Sequence, residues 1–367
     1  MTRLSLVVLL LAAVASVSAQ PAVTVDASAV VQSYETGPDR SVSEVAVPIL
    51  IVAEVMDGLS LSARAVYATV EGDGLASLSG LGDTQLGASY RRPLGPALLD
   101  LSLTASLPTG QTALADDEFA TAAALALDDF AFALPSLGQG TTIAPALTLA
   151  VPSGENMALG IGAAYATHGG YTLFAADSST YAPADEIILS TGVDIGFGGS
   201  SSFALEGSYV LYGDDAYAGQ SFSPGDKIAG TMRLTLDGGA ARARLLARYR
   251  HVFDGVVPAS GRPVAYRRPQ QAQVALALGF GPRTAEVAVT GGARYYGTVS
   301  TPENGIELAS FLAEQQVLLD VGGTAAVEVS PGITLRAGGT YTQGLLESVG
   351  GQTLTGFRFS GGLRVAL

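Results

Sequence analysis

The stretch ARARLLARYR, Ala241 to Arg250, places four arginines within ten residues of a chain whose formal net charge is −14. At the helical spacing of about 100° per residue, Arg242, Arg244, Arg248 and Arg250 scatter around the axis and form no basic face. On a strand side chains alternate, so all four share one face while Ala241, Ala243, Leu245, Ala247 and Tyr249 take the other. Such a strand needs water on its arginine side and a core or lipid on its apolar side. Arginine exposed to lipid near mid-bilayer costs about 2 to 4 kcal/mol, so in a membrane-spanning strand these four must face an aqueous interior.

The same division recurs along the chain. Phe357, Phe359, Gly361, Leu363, Val365 and Leu367 oppose Arg358, Ser360, Gly362 and Arg364, and Ile333, Leu335, Ala337 and Tyr341 oppose Thr334, Arg336, Thr340 and Thr342. It returns in Val317, Leu319 and Val321 against Gln316, Asp320, Thr324 and Glu328, and in Leu99, Leu101 and Leu103 against Asp100, Ser102 and Thr104. Alternating segments of about ten residues separated by turns are the pattern of a transmembrane β-barrel, and repetition carries that reading. Tight turns are expected at Asp57-Gly58, Pro93 to Pro96, Pro152 to Gly154, Gly198-Gly199, Asp237 to Gly239, Gly281-Pro282 and Pro331-Gly332. Longer loops fall at about 169–184, 213–225, 254–268 and 298–314.

The expected fold is all-β: an antiparallel up-and-down transmembrane barrel of about sixteen strands, with fourteen as the alternative. The doubtful region is Thr109 to Gly140. Its LADDEFATAAALALDD stretch fits a short helix, with Asp116, Asp117 and Glu118 at the dipole-favoured start, or an extra hairpin. Two internal regularities support a barrel. YAPADEI, Tyr181 to Ile187, is echoed by FSPGDKI, Phe222 to Ile228, each at the join of a long loop and a strand. Tyr67, Tyr165, Tyr209, Tyr249, Tyr295 and Tyr341 would all face outward near one rim, with Phe197 and Phe280 near the other, as interfacial girdles do.

Composition agrees. Charged residues make up only 14% of the chain and hydrophobic ones 48%, less charge than a water-facing exterior normally carries. Thr2-Arg3, the apolar run Leu4 to about Val14, and Val17-Ser18-Ala19 read as a secretory signal peptide over residues 1–19, leaving a barrel over 20–367. Its removal takes Arg3 and no acid, shifting the charge from −14 to −15. This acidity argues against nucleic acid as a partner. No stretch approaches ~20 consecutive apolar residues, so no transmembrane helix is expected. With no cysteine, disulfides, cysteine-linked lipid and thiolate zinc sites are excluded.

The segment Gly80 to Gln111 carries Gly80-Leu81-Gly82-Asp83, Gly87-Ala88-Ser89-Tyr90-Arg91 and Leu107-Pro108-Thr109-Gly110. It resembles the family of outer-membrane transporters linked to meta-pathway phenol degradation, over about a tenth of the chain. The resemblance implies a barrel passing small molecules across the outer membrane, with apolar or aromatic solutes as candidates. A more distant likeness is to the long-chain fatty-acid channels, whose N-terminal plug carries an Asn-Pro-Ala motif that this sequence lacks, so a plugged mechanism is not implied.

Alternation assigns to the lumen Arg233, Arg242, Arg244, Arg248, Arg250, Arg294, Arg336, Arg358 and Arg364, together with Asp100, Asp194, Glu206, Asp320 and Glu328. Arg64 and Glu286 follow by the same parity. Opposed rows of this kind set up a transverse field in a pore or, alternatively, pair across strands and stiffen the wall. Inward positions such as Ala144, Gly162, Gly192, Ala277 and Gly322 leave room for water. The 109–140 segment, with Phe119, Leu125, Phe130 and Phe132, is either a constriction inside the barrel or a loop on its rim.

An enzyme is not expected. Only His168 and His251 could serve a hydrolytic centre; His251 falls on the outward face, and His168 would have to meet Asp177 or Ser178 at the rim. No cofactor is expected, and no spacing of His, Asp and Glu suggests a metal site; Asp214-Asp215 in an outer loop fits a solvated acidic loop better than a weak cation site. The sequence therefore predicts a multi-pass outer-membrane channel whose partners are the lipid bilayer and a small solute. The alternative is a structural or adhesin-like barrel without transport, and no surface calls for a particular oligomer.

Overall fold

The computed structural model describes residues 22–35, 41–126, 130–253, 270–282, 284–297, 316–345 and 354–367. The signal-peptide reading of residues 1–19 and the loops at 254–268 and 298–314 lie outside them. Strands β1 (Ala22–Glu35), β2 (Ser41–Met56), β3 (Leu59–Gly72), β4 (Leu75–Leu81), β5 (Thr84–Leu94) and β6 (Ala97–Leu107) precede one helix, α1 (Glu118–Leu125). Then come β7 (Thr142–Pro152), β8 (Met157–His168), β9 (Tyr171–Thr172), β10 (Thr180–Ala182), β11 (Glu186–Gly196) and β12 (Ser202–Tyr212). Next are β13 (Asp215–Tyr217), β14 (Gln220–Phe222), β15 (Lys227–Asp237), β16 (Ala241–Val252), β17 (Gln270–Phe280) and β18 (Ala285–Tyr296). The last three are β19 (Gln316–Ser330), β20 (Ile333–Gly344) and β21 (Thr355–Ala366).

Apart from β9, β10, β13 and β14, the strands pair antiparallel with their neighbours along the chain, and β21 pairs with β1, so the sheet closes. β4 and β5 lie along successive halves of β3 and form one strand interrupted at Gly82-Asp83. The cylinder therefore has sixteen strands rather than fourteen. The seven turns that the sequence marks all fall at one end, while a tight turn that it does not mark, Asp73-Gly74 between β3 and β4, lies at the other. At Gly58 the turn needs φ +75° and a Cβ would lie 2.2 Å from the Arg91 carbonyl oxygen, which only glycine tolerates.

Residues paired across an antiparallel ladder point to the same side. One such line runs Arg244, Ala277, Thr290, Gly322, Thr340, Arg358, Gln32, Glu44, Val70 and Leu78, from β16 to β4 across the β21–β1 closure. The opposite face presents a belt of uncovered hydrocarbon, with Ile161 64% exposed, Val321 63% and Phe359 58%. Tyr67, Tyr165, Tyr249 and Tyr341, each about half exposed, mark its long-loop rim, and Phe197 and Phe280 mark the other. Strands of 11 residues such as β11 and β12, rising ~3.3 Å per residue at ~45° tilt, climb roughly 25 Å, the height of a bilayer's apolar band. A closed wall of backbone hydrogen bonds with an apolar exterior is the architecture of an outer-membrane-type, multi-pass β-barrel.

At the long-loop end, β9, β10, β13 and β14 make a separate four-stranded sheet. The echoed heptapeptides have one chemistry there: the Tyr165 hydroxyl donates to Asp185, and the Tyr209 hydroxyl donates to Asp226 at 2.6 Å. Asp215 is buried, accepting the Tyr181 hydroxyl and, at 2.7 Å, the Ala184 N–H. The Asp214-Asp215 pair is thus no cation loop, because one of its carboxylates is occupied in folding the loops together.

The tyrosine donors hold the Asp185 and Asp226 carboxyls below the usual aspartate range, with backbone donors adding to the effect. A lowered folded value means that these contacts contribute above the ordinary value of ~3.9 and fade as pH falls through the depressed one. Amide exchange corrected for intrinsic rate should therefore show loops 169–185 and 213–226 loosening below about pH 4, with the barrel strands still protected. Equal loop protection at neutral and acid pH would contradict this role.

Candidate functional site

The candidate site is the interior of the cylinder. All fourteen charged residues assigned inward from the sequence lie on the face traced above, and most of their charge is paired. Arg233 meets Glu206 at 2.7 Å, Arg336 meets Asp26 at 2.8 Å, and Asp100 meets Arg91 at 3.2 Å. Arg294 grips Asp320 with two N–H groups at 2.8 and 3.0 Å, and the Thr342 hydroxyl donates to the same carboxylate at 2.7 Å. Arg242 bonds Glu286, with Asp237 at 3.8 Å, and Arg244 stands 3.7 Å from Glu286. Near the tight-turn end, Arg364 pairs in register with Asp26 and Thr334, Asp194 with Ala158 and Ala204, and Glu328 with Thr334. Arg250 lies towards the long-loop end opposite Ala229 and Gln271.

Of the alternatives for 109–140, a helix forms rather than a hairpin, and the described residues pack against the inner wall rather than on the rim. Glu118 secures the start of α1 by accepting the Ala115 N–H at 2.8 Å. The apolar side chains pack against inner-face residues. Leu125 and Phe130 cluster with Tyr34, Val42, Val70 and Leu318, while Leu114, Leu134 and Leu137 cluster with Ala46, Val66, Ala68 and Leu78. The Tyr34 and Phe130 rings are 5.3 Å apart. Glu44, fully buried, accepts the Ala133 and Leu134 N–H groups at 2.8 and 2.9 Å and the Gln32 amide.

Two of the three motifs that carry the family resemblance bind each other at the ends of this segment. Asp83 of the GLGD stretch accepts the Gly110 N–H at 2.9 Å and the Gln139 N–H at 2.6 Å. Thr109 of the LPTG stretch donates to the Gly82 carbonyl at 2.9 Å and accepts the Thr84 N–H at 2.9 Å. A Cβ on Gly110 would sit 1.6 Å from the Leu137 carbonyl oxygen, so glycine is required for the approach. The segment is thus pinned at its entry, its exit and its middle. Sequence reasoning did not single out Glu44, Gln32, Asp83 or Thr109 as holding it. A signal existed: near the long loops the inner face of β2 and β3 carries Val42, Ala46, Val66, Ala68 and Val70, apolar positions that a purely water-lined lumen does not need.

Beside the segment a cavity of about 510 Å³ remains, bordered by Tyr34, Ala131, Arg233, Arg244, Arg248, Gln273, Arg294, Asp320, Thr342 and Arg358. Of the assigned residues it gathers Arg233, Arg244, Arg248, Arg294, Arg358 and Asp320, and leaves the rest outside. His168 does not approach Asp177 or Ser178. Its Nδ1 lies 3.0 Å from the Thr142 hydroxyl and its Nε2 3.6 Å from Glu186, while Asp177 accepts the Tyr217 hydroxyl at 2.8 Å. No group of three metal-ligating side chains occurs among the described residues.

No protein-family model matches the chain, and no curated protein matches it in sequence. Solved structures do. CdiB from Acinetobacter baumannii aligns at TM-score 0.47 and 13% identity over 92% of this chain, which spans 60% of CdiB. An outer-membrane channel from Pseudomonas putida F1 aligns at 0.40 and 12% over 95% of this chain and 96% of its own. An anion-selective porin from Comamonas acidovorans aligns at 0.42 and 11% over 95% of this chain and 100% of its own. Likenesses this distant say nothing about solute or mechanism, and the barrel assignment rests on the closed ladder.

Proposed function

We propose that this protein is an outer-membrane channel for the passive passage of small molecules, lined by the inner-face arginines, carboxylates and small residues. The observation that carries the reading is a closed sixteen-strand wall whose inner face is polar over most of its circumference. Barrels of about this strand number leave an aqueous path where side chains do not fill them, as porins do. Here the inner wall is occupied along β1 to β4 and keeps an arginine-rich cavity beside the occupied side. The 109–140 segment acts as the constriction. The resemblance around Gly80 to Gln111 supports apolar or aromatic solutes as candidates. No catalytic role is proposed for any residue.

The test is conductance. Purified, folded protein in a planar bilayer should give discrete current steps under an applied voltage. A folded barrel that inserts and passes no current above background would leave the structural or adhesin-like alternative in its place.

A further inference from the structure

We infer that the lumenal cavity is an anion-binding site that sets the charge selectivity of the pore, with Arg248 and Arg358 as the residues that engage the anion. The inference rests on the channel reading but replaces its apolar candidates with a charged solute class: small carboxylates or phosphates. Five arginines border the cavity against one acid, Asp320. Three of the five are committed: Arg233 to Glu206, Arg294 to Asp320, and Arg244 beside Glu286. Arg248 and Arg358 have no ion pair among the described residues, and their ladder partners are neutral, Thr231 and Gln273 for the first and Thr340 and Gln32 for the second. Two positive charges without an ion pair among the described residues thus border one space in a chain of net charge −14.

Low-dielectric walls around such a space focus the field of those charges, raising the local concentration of anions and excluding cations. A guanidinium offers a planar fork of donors that matches a carboxylate or phosphate with two hydrogen bonds, and the neighbouring Thr and Gln side chains can complete the shell. Of the inner-face carboxylates outside the cavity, Asp194 and Glu328 stand near the tight-turn end, and Glu44, two strands from Arg358 on one ladder line, is turned to the Ala133 and Leu134 N–H groups and the Gln32 amide.

Under a KCl gradient across a planar bilayer, the wild-type channel should show a reversal potential on the chloride side. Arg248→Glu with Arg358→Glu should move it to the potassium side, and the milder Arg248→Gln with Arg358→Gln should move it part of the way. A wild-type potential at zero or on the potassium side overturns the inference, as does a folded charge-reversed variant whose potential does not move. Binding is also read without current: inorganic phosphate should raise the unfolding temperature of the detergent-solubilised wild type and not of the Gln double variant. Phosphate stabilisation in a barrel that passes no current would remove the channel reading and keep the site. Current with neither selectivity nor stabilisation would keep the channel and remove the site.

Discussion

Replacing residues 111–138 with a short glycine-serine linker should raise single-channel conductance severalfold while the barrel still folds. The splice is geometrically mild, because Ser106 on β6 and Thr142 on β7 are direct ladder partners and the ends to be joined lie side by side. Loop closure adds little, since each halving of loop length changes the entropic term by only ~0.6 kcal/mol. What the excision removes is the packing of Leu125, Phe130 and Leu134 onto the inner wall, and with it the occupant of that side of the lumen. It also strips cover from Val42, Val66, Val70 and Leu78, so the variant should unfold at lower temperature than the wild type. Unchanged conductance from folded protein would show that the segment does not set the width of the path.

Glu44→Ala should turn a steady current into one that flickers between levels. Alanine leaves the Ala133 and Leu134 N–H groups and the Gln32 amide without their acceptor in a buried place. An orphaned buried donor costs about 1 to 3 kcal/mol, so losing this carboxylate takes several kcal/mol from the docked state of the segment. The Asp83 and Thr109 contacts still anchor both ends, so the middle should swing rather than leave. Glu44→Gln retains one acceptor oxygen and should flicker less than alanine. A variant current as quiet as the wild type's would assign the docking to the apolar contacts alone.

The wall was readable in the sequence and its contents were not, for a physical reason. A strand's alternation records which solvent each side chain meets, so Arg248 and Tyr249 alone say which way β16 faces. The glycine and proline turns mark where most strands end, and together these point to about sixteen strands without excluding fourteen. Alternation carries nothing about what stands across the lumen. Glu44 looks like any inward acid of β2 until Ala133 and Leu134, some ninety positions later, are seen to bind it. The break at Gly82-Asp83 hid for the same reason, as its partners Gly110 and Gln139 lie on a segment without strand periodicity. The arginines were placed by parity, but only ladder partners and distances separate those tied to an acid from Arg248 and Arg358.

β6 ends at Leu107, level with Thr84, so no ladder joins the neighbouring edge of β4 across residues 75–81 among the described residues. In place of a strand that edge meets α1, with the Thr121 hydroxyl donating to the Ala76 carbonyl at 2.6 Å. The cylinder is therefore hooped all the way round near its tight turns and carries a seam near its long loops. Heat or detergent should unzip the wall from there.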